Sequence, residues 1–433
     1  MYHASSQWAL TCVIAFAGAL VVPAHAAPLL EQFFRPALPS GEDLPTDRIY
    51  PEGRLFPFSL YSVGGGGPNK SGDLLPGDQV QAALSRVRAA GFTMIGPQYE
   101  LNGRVLTDAA RHGLQAIYRV GLPKDQLNLP QAQIEKAIRD QVLAVVDDPN
   151  LAWWYVTPEE LRSWRQEEIG FLDIACRTIA QNDPLKRPVW MYDPGHRHAQ
   201  GLVPTARHLS VLGKGMYTNY SKRRDARVWV RWTIDQELQA IAQAGSKAIP
   251  IAVPEMFQQP QPQYLHLIPA WVRHDVYAAL IAGAQGVVVF SMRVRPTFEA
   301  HEAYLQAYEQ VAREVCVDPG LGQVLLFGQR RQDLKIEVLD GPPLLNLEYR
   351  GNHAQYPAIA HLDIAYGTHR YLLAVNSSND VVRVVCSGLP NEKLVAVDLF
   401  GQQSPPVESE DGALKLCFAA LEVKAFRLIA AAQ

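Results

Sequence analysis

Residues 230–255 of the chain, VRWTIDQELQAIAQAGSKAIPIAVPE, contain the pattern that decides the fold. Apolar residues recur at helical spacing over residues 230–244, which predicts an amphipathic helix. Gly245 follows in the position where a left-handed residue commonly ends a helix. Ala248–Val253 is almost continuously apolar, as expected of a strand that is buried on both faces of a parallel sheet. The segment therefore predicts one helix–strand unit that ends in a carboxylate, Glu255.

The same alternation of strand and helix extends over residues 52–320. The predicted strands are Phe56–Tyr61, Thr93–Pro97, Gln115–Val120, Leu151–Val156, Pro188–Tyr192, Val211–Met216, Ala248–Val253 and Val287–Met292. Gly91, Gly113 and Gly286 are expected to end the helices before three of them. Eight such units predict a closed (β/α)8 TIM barrel, which typically has ~250 residues. An open doubly wound sheet is the alternative, but a GxGxxG turn is missing after the first strand.

The region 321–433 lacks helical spacing and consists of short alternating runs separated by turn-forming residues. The predicted strands are Val324–Phe327, Lys335–Leu339, Leu344–Tyr349, His361–Ala365, Tyr371–Asn376, Val381–Cys386, Leu394–Asp398, Leu414–Phe418 and Val423–Leu428. This pattern predicts a C-terminal antiparallel β-sandwich that packs against the barrel. Cys386 and Cys417 fall in two of these strands and are candidates for a disulfide, with free thiols as the alternative.

The N-terminus has the pattern of a secretory signal. An apolar stretch begins at Trp8 and is followed by the small-x-small triplet Ala24-His25-Ala26. Residues 1–26 are therefore a predicted signal peptide, with an uncleaved anchor as the alternative, and residues 27–51 form an extended lead-in segment. We expect an exported protein, periplasmic or secreted, without stable membrane insertion after cleavage. No later stretch reaches the ~18 apolar residues of a membrane span.

The composition excludes several classes of protein. The chain has 433 residues, 48% hydrophobic and 19% charged, which is typical of a globular protein. Forty basic and 43 acidic residues give a net charge of -3, so the basic excess of a nucleic-acid-binding protein is missing. The cysteines lack zinc-like spacing, and we expect no metal or other cofactor. The absence of a GxSxG elbow argues against an esterase, and the sequence indicates no oligomeric state.

Polar and aromatic residues follow the predicted strands at the end of the barrel where active sites of this fold lie. The candidates for substrate binding are Tyr99, Glu100, Arg119, Trp154, Tyr155, Asp193, His196, Tyr217 and Asn219. Aromatic rings stack on the apolar faces of sugars, and carboxylates perform acid/base or nucleophilic chemistry at the anomeric carbon. The mixture therefore indicates a carbohydrate substrate.

Two strand ends resemble those of the retaining glycoside hydrolases of clan A. Those enzymes are (β/α)8 barrels with an acid/base Glu at the end of strand 4 and a nucleophilic Glu at the end of strand 7. Here the sequences WYVTPE, ending at Glu159, and IAVPE, ending at Glu255, supply the two positions. The resemblance covers residues 52–318 and implies these two catalytic roles, with Glu160 as the alternative to Glu159. It also implies that Tyr217 hydrogen-bonds the nucleophile.

Two positions depart from the clan A pattern. Pro158 stands where those enzymes usually have Asn before the acid/base residue, and Phe290 stands where they often have Trp. The leading hypothesis is a hydrolase that cleaves a β-linked polysaccharide or oligosaccharide with retention of configuration. The alternative is a non-catalytic glycan-binding protein on a hydrolase-like barrel, serving polysaccharide assembly or export. In a retaining hydrolase we expect a raised pKa at Glu159 and an ionised Glu255.

Overall fold

The structure is a computed structural model that describes most of the chain after residue 55. The described residues are 56–65, 75–99, 102–223, 227–349, 352–390, 393–401, 407–409 and 412–430. The predicted signal peptide, the lead-in segment and Glu100 lie outside these residues. A search of the described helices finds none that is long and apolar enough to cross a membrane.

Parallel strands form a closed barrel. Their bounds are β1 Phe58–Leu60, β2 Met94–Ile95, β3 Gln115–Gly121, β4 Leu151–Thr157, β5 Val189–Asp193, β6 Val211–Lys214, β7 Ile249–Pro250 and β8 Val287–Val289. Strands β1 to β7 pair in sequence order, and β8 pairs with β1. Parallel bridges from Ala252 to Val287 and from Glu255 to Phe290 connect the chain after β7 with β8, so the sheet closes on itself. The predicted (β/α)8 barrel is confirmed.

Helices cover the outside of the barrel. Their bounds are α1 Gly77–Ala89, α2 Val105–His112, α3 Gln131–Leu143, α4 Gln166–Asn182, α5 Ala199–Ala206, α6 Trp229–Ala244, α7 Ile268–Ala282, α8 His301–Cys316 and α9 Leu321–Phe327. Gly113 and Gly245 cap α2 and α6 in the left-handed conformation, as expected. The prediction for Gly286 was wrong, because α7 ends at Gly283. Gly286 instead gives β8 room to pass Pro57, which lies 2.9 Å from the position of an added Cβ.

Alternate strand residues face two different cores, since successive side chains of a strand point to opposite faces. The barrel interior contains Tyr61, Met94, Ile117, Trp153, Tyr155, Trp190, Tyr192, Val211, Ile249, Ile251, Val253 and Val288. Their neighbours along the strands, such as Trp154, Val156 and Leu212, pack against the helices. Trp153 and Trp190 fill the interior without solvent contact, so the barrel is packed and its polar chemistry is confined to the ends.

One predicted strand of the C-terminal region was wrong. Val324–Phe327 belongs to helix α9, whose residues after the first turn are almost all buried between the barrel and the following sheet. A short apolar run that is buried on every side has no period that distinguishes a helix from a strand. The structure therefore adds a helix to the barrel before the first C-terminal strand, which begins at Gln329.

The rest of the C-terminal region is antiparallel, as predicted. Its strands are β9 Gln329–Arg331, β10 Lys335–Asp340, β11 Leu344–Tyr349, β12 Asn352–Pro357, β13 Ile359–Tyr366, β14 His369–Asn376, β15 Val382–Ser387, β16 Leu394–Asp398, β17 Val407–Glu408, β18 Leu414–Phe418 and β19 Val423–Ala430. A sheet of order β17-β16-β19-β14-β13-β9 faces a second one of order β10-β15-β18. Cys386 is buried between the sheets while Cys417 is exposed, and both are free thiols, so the candidate disulfide is absent.

The sandwich contacts the barrel through two surfaces. The outer face of the larger sheet, with Leu373, Val375 and Ala425, joins the apolar core that includes α7 and α9. The β11–β12 hairpin extends to α6, where Trp229 and Trp232 pack with its apolar residues. The two domains therefore share buried surface next to the loops that follow β6 and β7.

Candidate active site

Aromatic rings line the carboxyl end of the barrel. Tyr61 and Tyr99 are stacked with ring centroids 6.2 Å apart, and Tyr217 stacks on Phe290 at 5.8 Å. The edge of the Phe257 ring meets Tyr217 at 5.0 Å. The rings come from the ends of β1, β2, β6, β7 and β8. They form an aromatic mouth in which Tyr99, Phe257 and Phe290 are the partly exposed rings.

Glu159 is the carboxylate of this mouth. It follows β4 by two residues and is half-buried, and its Oε2 accepts a hydrogen bond of 2.6 Å from the Tyr99 hydroxyl. The Tyr155 hydroxyl donates to the same oxygen, and Tyr61 donates to Tyr155 at 3.1 Å. Burial raises the pKa of Glu159 more than the two tyrosine hydrogen bonds lower it. The expected rise in its pKa is confirmed, and the carboxyl group is suited to donate a proton.

Arg119 and Glu160 flank Glu159 in different ways. The Arg119 guanidinium lies 5.4 Å from the centre of the Tyr99 ring, and its positive charge favours the ionised form of Glu159. Glu160 is exposed, and its backbone N–H donates to the carbonyl of Tyr192 at 3.1 Å. Of the two adjacent glutamates, Glu159 is therefore the one whose carboxyl group contacts the tyrosines of the mouth.

Glu255 lies in a closed environment behind the loop that follows β6. Its side chain is buried, and it accepts hydrogen bonds from the backbone N–H groups of Asn219 at 2.5 Å and Tyr220 at 3.0 Å. Burial nevertheless raises its pKa to about 7, because loss of water opposes the charge more than the two donors and Arg227 favour it. This differs from the expected ionised Glu255. Sequence spacing gives no measure of desolvation.

A buried polar network behind Glu255 was missed by the sequence analysis. Arg227 binds Asp275 with Nε at 2.9 Å, and the Thr218 hydroxyl donates to the same carboxylate at 3.0 Å. His274 is 2.8 Å from Asp275 through Nδ1 and 2.9 Å from the Ser377 hydroxyl through Nε2. The network links α7, the loop after β6 and the sandwich. Its sequence signal is the polar run at 273–275 within an otherwise largely apolar helix.

Two candidate substrate residues lie outside the mouth. Trp154 has no solvent exposure, and its Nε1 donates to Asp183 at 2.8 Å in the layer between strands and helices. Asp193 is likewise inaccessible and pairs with Arg197 and the Thr205 hydroxyl. Both assignments were wrong because the alternation of a strand shows which residues share a face, but not which face points inward.

The remaining candidates have mixed outcomes. Tyr217 belongs to the mouth, but its hydroxyl pairs with Tyr192 rather than with Glu255, so the partner implied by the resemblance was wrong. Asn219 contacts Glu255 through its backbone, while its side-chain amide donates to the Tyr304 hydroxyl at 3.1 Å. His196 is exposed on the loop after β5. Within the described residues, no group of three or more His, Cys, Asp or Glu side chains is arranged to hold a metal ion.

The chain was compared with known proteins at three levels. No family model matches the sequence, and no curated protein matches it. Solved structures do match. An α-amylase from Geobacillus thermoleovorans, complexed with acarbose, has a TM-score of 0.53 and 10% identity, covering 87% of this chain and 99% of its own.

Two further matches are also glycoside hydrolases. A family 5 glycoside hydrolase from Bacteroides vulgatus has a TM-score of 0.53 and 14% identity over 87% of this chain and 90% of its own. Amy13B from Eubacterium rectale has a TM-score of 0.52 and 9% identity over 89% and 99%. At such identities the similarity concerns the fold. The chain has the TIM barrel with a C-terminal β-sandwich that these glycoside hydrolases have.

Proposed function

We propose that this protein is a glycoside hydrolase in which Glu159 is the acid/base residue. The observation that carries the proposal is the position of the Glu159 carboxyl group in the aromatic mouth. Two tyrosine hydroxyls donate hydrogen bonds to it, and its pKa is raised. A general acid needs a proton to donate at working pH, and a raised pKa keeps that proton in place. The glycoside hydrolase fold of the solved neighbours supports the same class of reaction.

The proposed substrate is a β-linked polysaccharide or oligosaccharide, cleaved with retention of configuration. Glu159 protonates the leaving oxygen while Glu255 attacks the anomeric carbon, and Glu159 then removes a proton from the water that releases the sugar. Tyr99 and Tyr155 hold the Glu159 carboxyl group in one orientation. The N–H groups of Asn219 and Tyr220 hold Glu255 in its ionised, nucleophilic form once the proton leaves.

A panel of glycans tests this proposal. Wild type, Glu159→Gln and Glu160→Gln are incubated with β-glucans, xylan, mannan and starch, and new reducing ends are measured. We expect hydrolysis of a β-linked polymer by wild type and Glu160→Gln, and a loss of about 10²–10⁴-fold in Glu159→Gln. NMR of the first product should show the anomer of the substrate. Equal rates in all three proteins contradict the role of Glu159, and cleavage of starch alone contradicts the β-linkage.

A second candidate function is glycan binding without turnover. It is favoured by the environment of Glu255, which is only 4% exposed and already accepts two backbone hydrogen bonds. A nucleophile must reach the anomeric carbon, and such a closed carboxylate suits a structural role. Binding of a glycan by wild type with no release of reducing ends identifies this function instead.

Export is part of the proposed function. The apolar stretch at residues 8–24 and the triplet at residues 24–26 support removal of a signal peptide after Ala26. Mass spectrometry of the mature protein from its native host tests this directly. A chain that begins at Ala27 supports export, and an intact N-terminus in the cell-associated protein contradicts signal cleavage.

A further inference from the structure

Trp164 is the most exposed large apolar side chain among the described residues, at 75% exposure. It lies in the loop between β4 and α4, five residues after Glu159. A tryptophan ring is usually buried, because exposing its apolar surface to water is unfavourable.

The loop that carries Trp164 is anchored at both sides of the ring. The backbone N–H and Nε of Arg162 donate to Glu168 at 2.5 and 2.6 Å. Leu161 is buried, and its carbonyl accepts a hydrogen bond of 2.5 Å from Arg197. The backbone on the N-terminal side of Trp164 is therefore fixed, and α4 begins two residues after it, at Gln166. A loop whose backbone is already ordered loses less entropy when a ligand binds to it.

The indole forms one wall of a surface pocket of about 430 Å³. The pocket is lined by Ser163, Trp164, Gln166, Ile169, Gly170, Asp173 and His208. Gln166, Gly170 and Asp173 follow one another at helical spacing, so a single face of α4 is its floor. His208, which follows α5, closes the far side. The pocket is distinct from the aromatic mouth and shares none of its residues.

Gly170 keeps the floor of this pocket open. It lies within α4, where glycine weakens a helix relative to alanine. A Cβ at this position would have no heavy atom within 4 Å, so packing of the chain does not require glycine there. The missing side chain therefore leaves the backbone of α4 accessible within the pocket.

The charged side chains in and beside the pocket offset one another. Asp173 lies 3.2 Å from His208 Nδ1 and accepts a hydrogen bond of 3.0 Å from Arg177 Nε. The Ser163 hydroxyl and the Gln166 amide add neutral donors and acceptors. Hydroxyl groups can donate to and accept from such partners. Because the charges of Asp173 and Arg177 offset each other, the pocket offers no net charge that would favour a charged ligand.

We propose that this pocket binds a sugar unit of a neutral polysaccharide chain, outside the active site. The polymeric nature of the ligand rests on the proposed function. Five residues span at most about 18 Å, so the Cα atoms of Trp164 and Glu159 lie within that distance of each other. From Trp164 the pocket extends along the outside of the barrel to His208, which precedes β6. A polymer held at Trp164 therefore stays near Glu159, which raises the local concentration of polymer at the active site.

Affinity electrophoresis in gels that contain a neutral polysaccharide tests the proposal. The probes are β-glucan, xylan, mannan and starch, each in its own gel. Trp164→Ala removes the stacking surface, and Gly170→Leu fills the pocket from a position where an added Cβ meets no heavy atom within 4 Å. Leu185→Ala, at a leucine that is 40% exposed after the end of α4, is the matched control.

We expect at least one polysaccharide to retard wild type and Leu185→Ala equally, with binding at least about fivefold weaker in both pocket variants, as for loss of one aromatic contact. Equal retardation of all four proteins, or no retardation of wild type in any gel, overturns the proposal. The hydrolysis assay with Glu159→Gln tests the proposed function separately from the pocket. If retardation depends on Trp164 but wild type hydrolyses no glycan, the pocket proposal holds and the proposed hydrolase function is contradicted.

Discussion

Replacement of Glu255 by Gln tests how strongly the fold opposes a charge at this position. The side chain is 4% exposed, and burial raises the pKa of Glu255 from 4.5 to about 7. Each pKa unit corresponds to about 1.4 kcal/mol, so the difference of about 2.5 units amounts to about 3 kcal/mol. Because the folded pKa lies above the unfolded one, this stability is complete below pH 4.5 and is lost as the pH rises to about 7.

Glutamine does not ionise, so the free energy of unfolding of Glu255→Gln lacks this pH dependence. We expect wild type to lose about 3 kcal/mol relative to the variant between about pH 4.5 and pH 8. Urea unfolding followed by circular dichroism at four pH values across this interval measures the difference. Glu337→Gln, at an exposed glutamate of β10, is the control; it leaves Glu255 intact and should keep the wild-type loss. A constant difference between wild type and Glu255→Gln would refute the argument from burial.

Two further predictions concern the strands that position the acid/base residue. Tyr99→Phe removes a hydrogen bond that favours the Glu159 carboxylate, so the pKa of Glu159 should rise further. The alkaline limb of the pH–rate profile should then move to higher pH, and a limb that stays in place contradicts this role of Tyr99. Gly121→Ala would place Cβ 1.9 Å from the Thr157 carbonyl oxygen and force β3 away from β4. Thermal melting should show a loss of about 1–3 kcal/mol, as for overpacking, whereas Gly103→Ala, which meets no atom within 4 Å, should melt like wild type.

The barrel could be predicted because buried parallel strands are apolar throughout and their helices have a regular spacing. Every predicted barrel strand overlaps an observed strand. β3 and β4 are one residue longer than predicted, whereas others, such as Ile249–Pro250, are shorter. The same reasoning failed at α9, where an apolar run is buried on every side. It also missed β12, whose sequence NHAQYP has few apolar residues and which is stabilised by pairing with β11.

The site was only partly predictable, for physical reasons that differ between residues. Glu159 and Tyr99 were identified because carboxylates and aromatic rings at strand ends are unusual enough to require a function. Trp154 was misplaced because a strand pattern leaves the inward face undetermined. The protonation of Glu255 depends on burial and on two backbone donors from the loop after β6, which are tertiary contacts. Trp164 gave no sequence signal, because exposure is visible only in the structure.

The role of Glu159 as a general acid is tested most directly by its dependence on the leaving group. For the sugar identified by the panel, kcat/KM is measured with a natural oligosaccharide and with an aryl glycoside whose leaving group departs without protonation. We predict that Glu159→Gln loses about 10²–10⁴-fold on the oligosaccharide, as expected for loss of acid catalysis, and far less on the aryl glycoside. An equal loss on both substrates would contradict proton donation by Glu159.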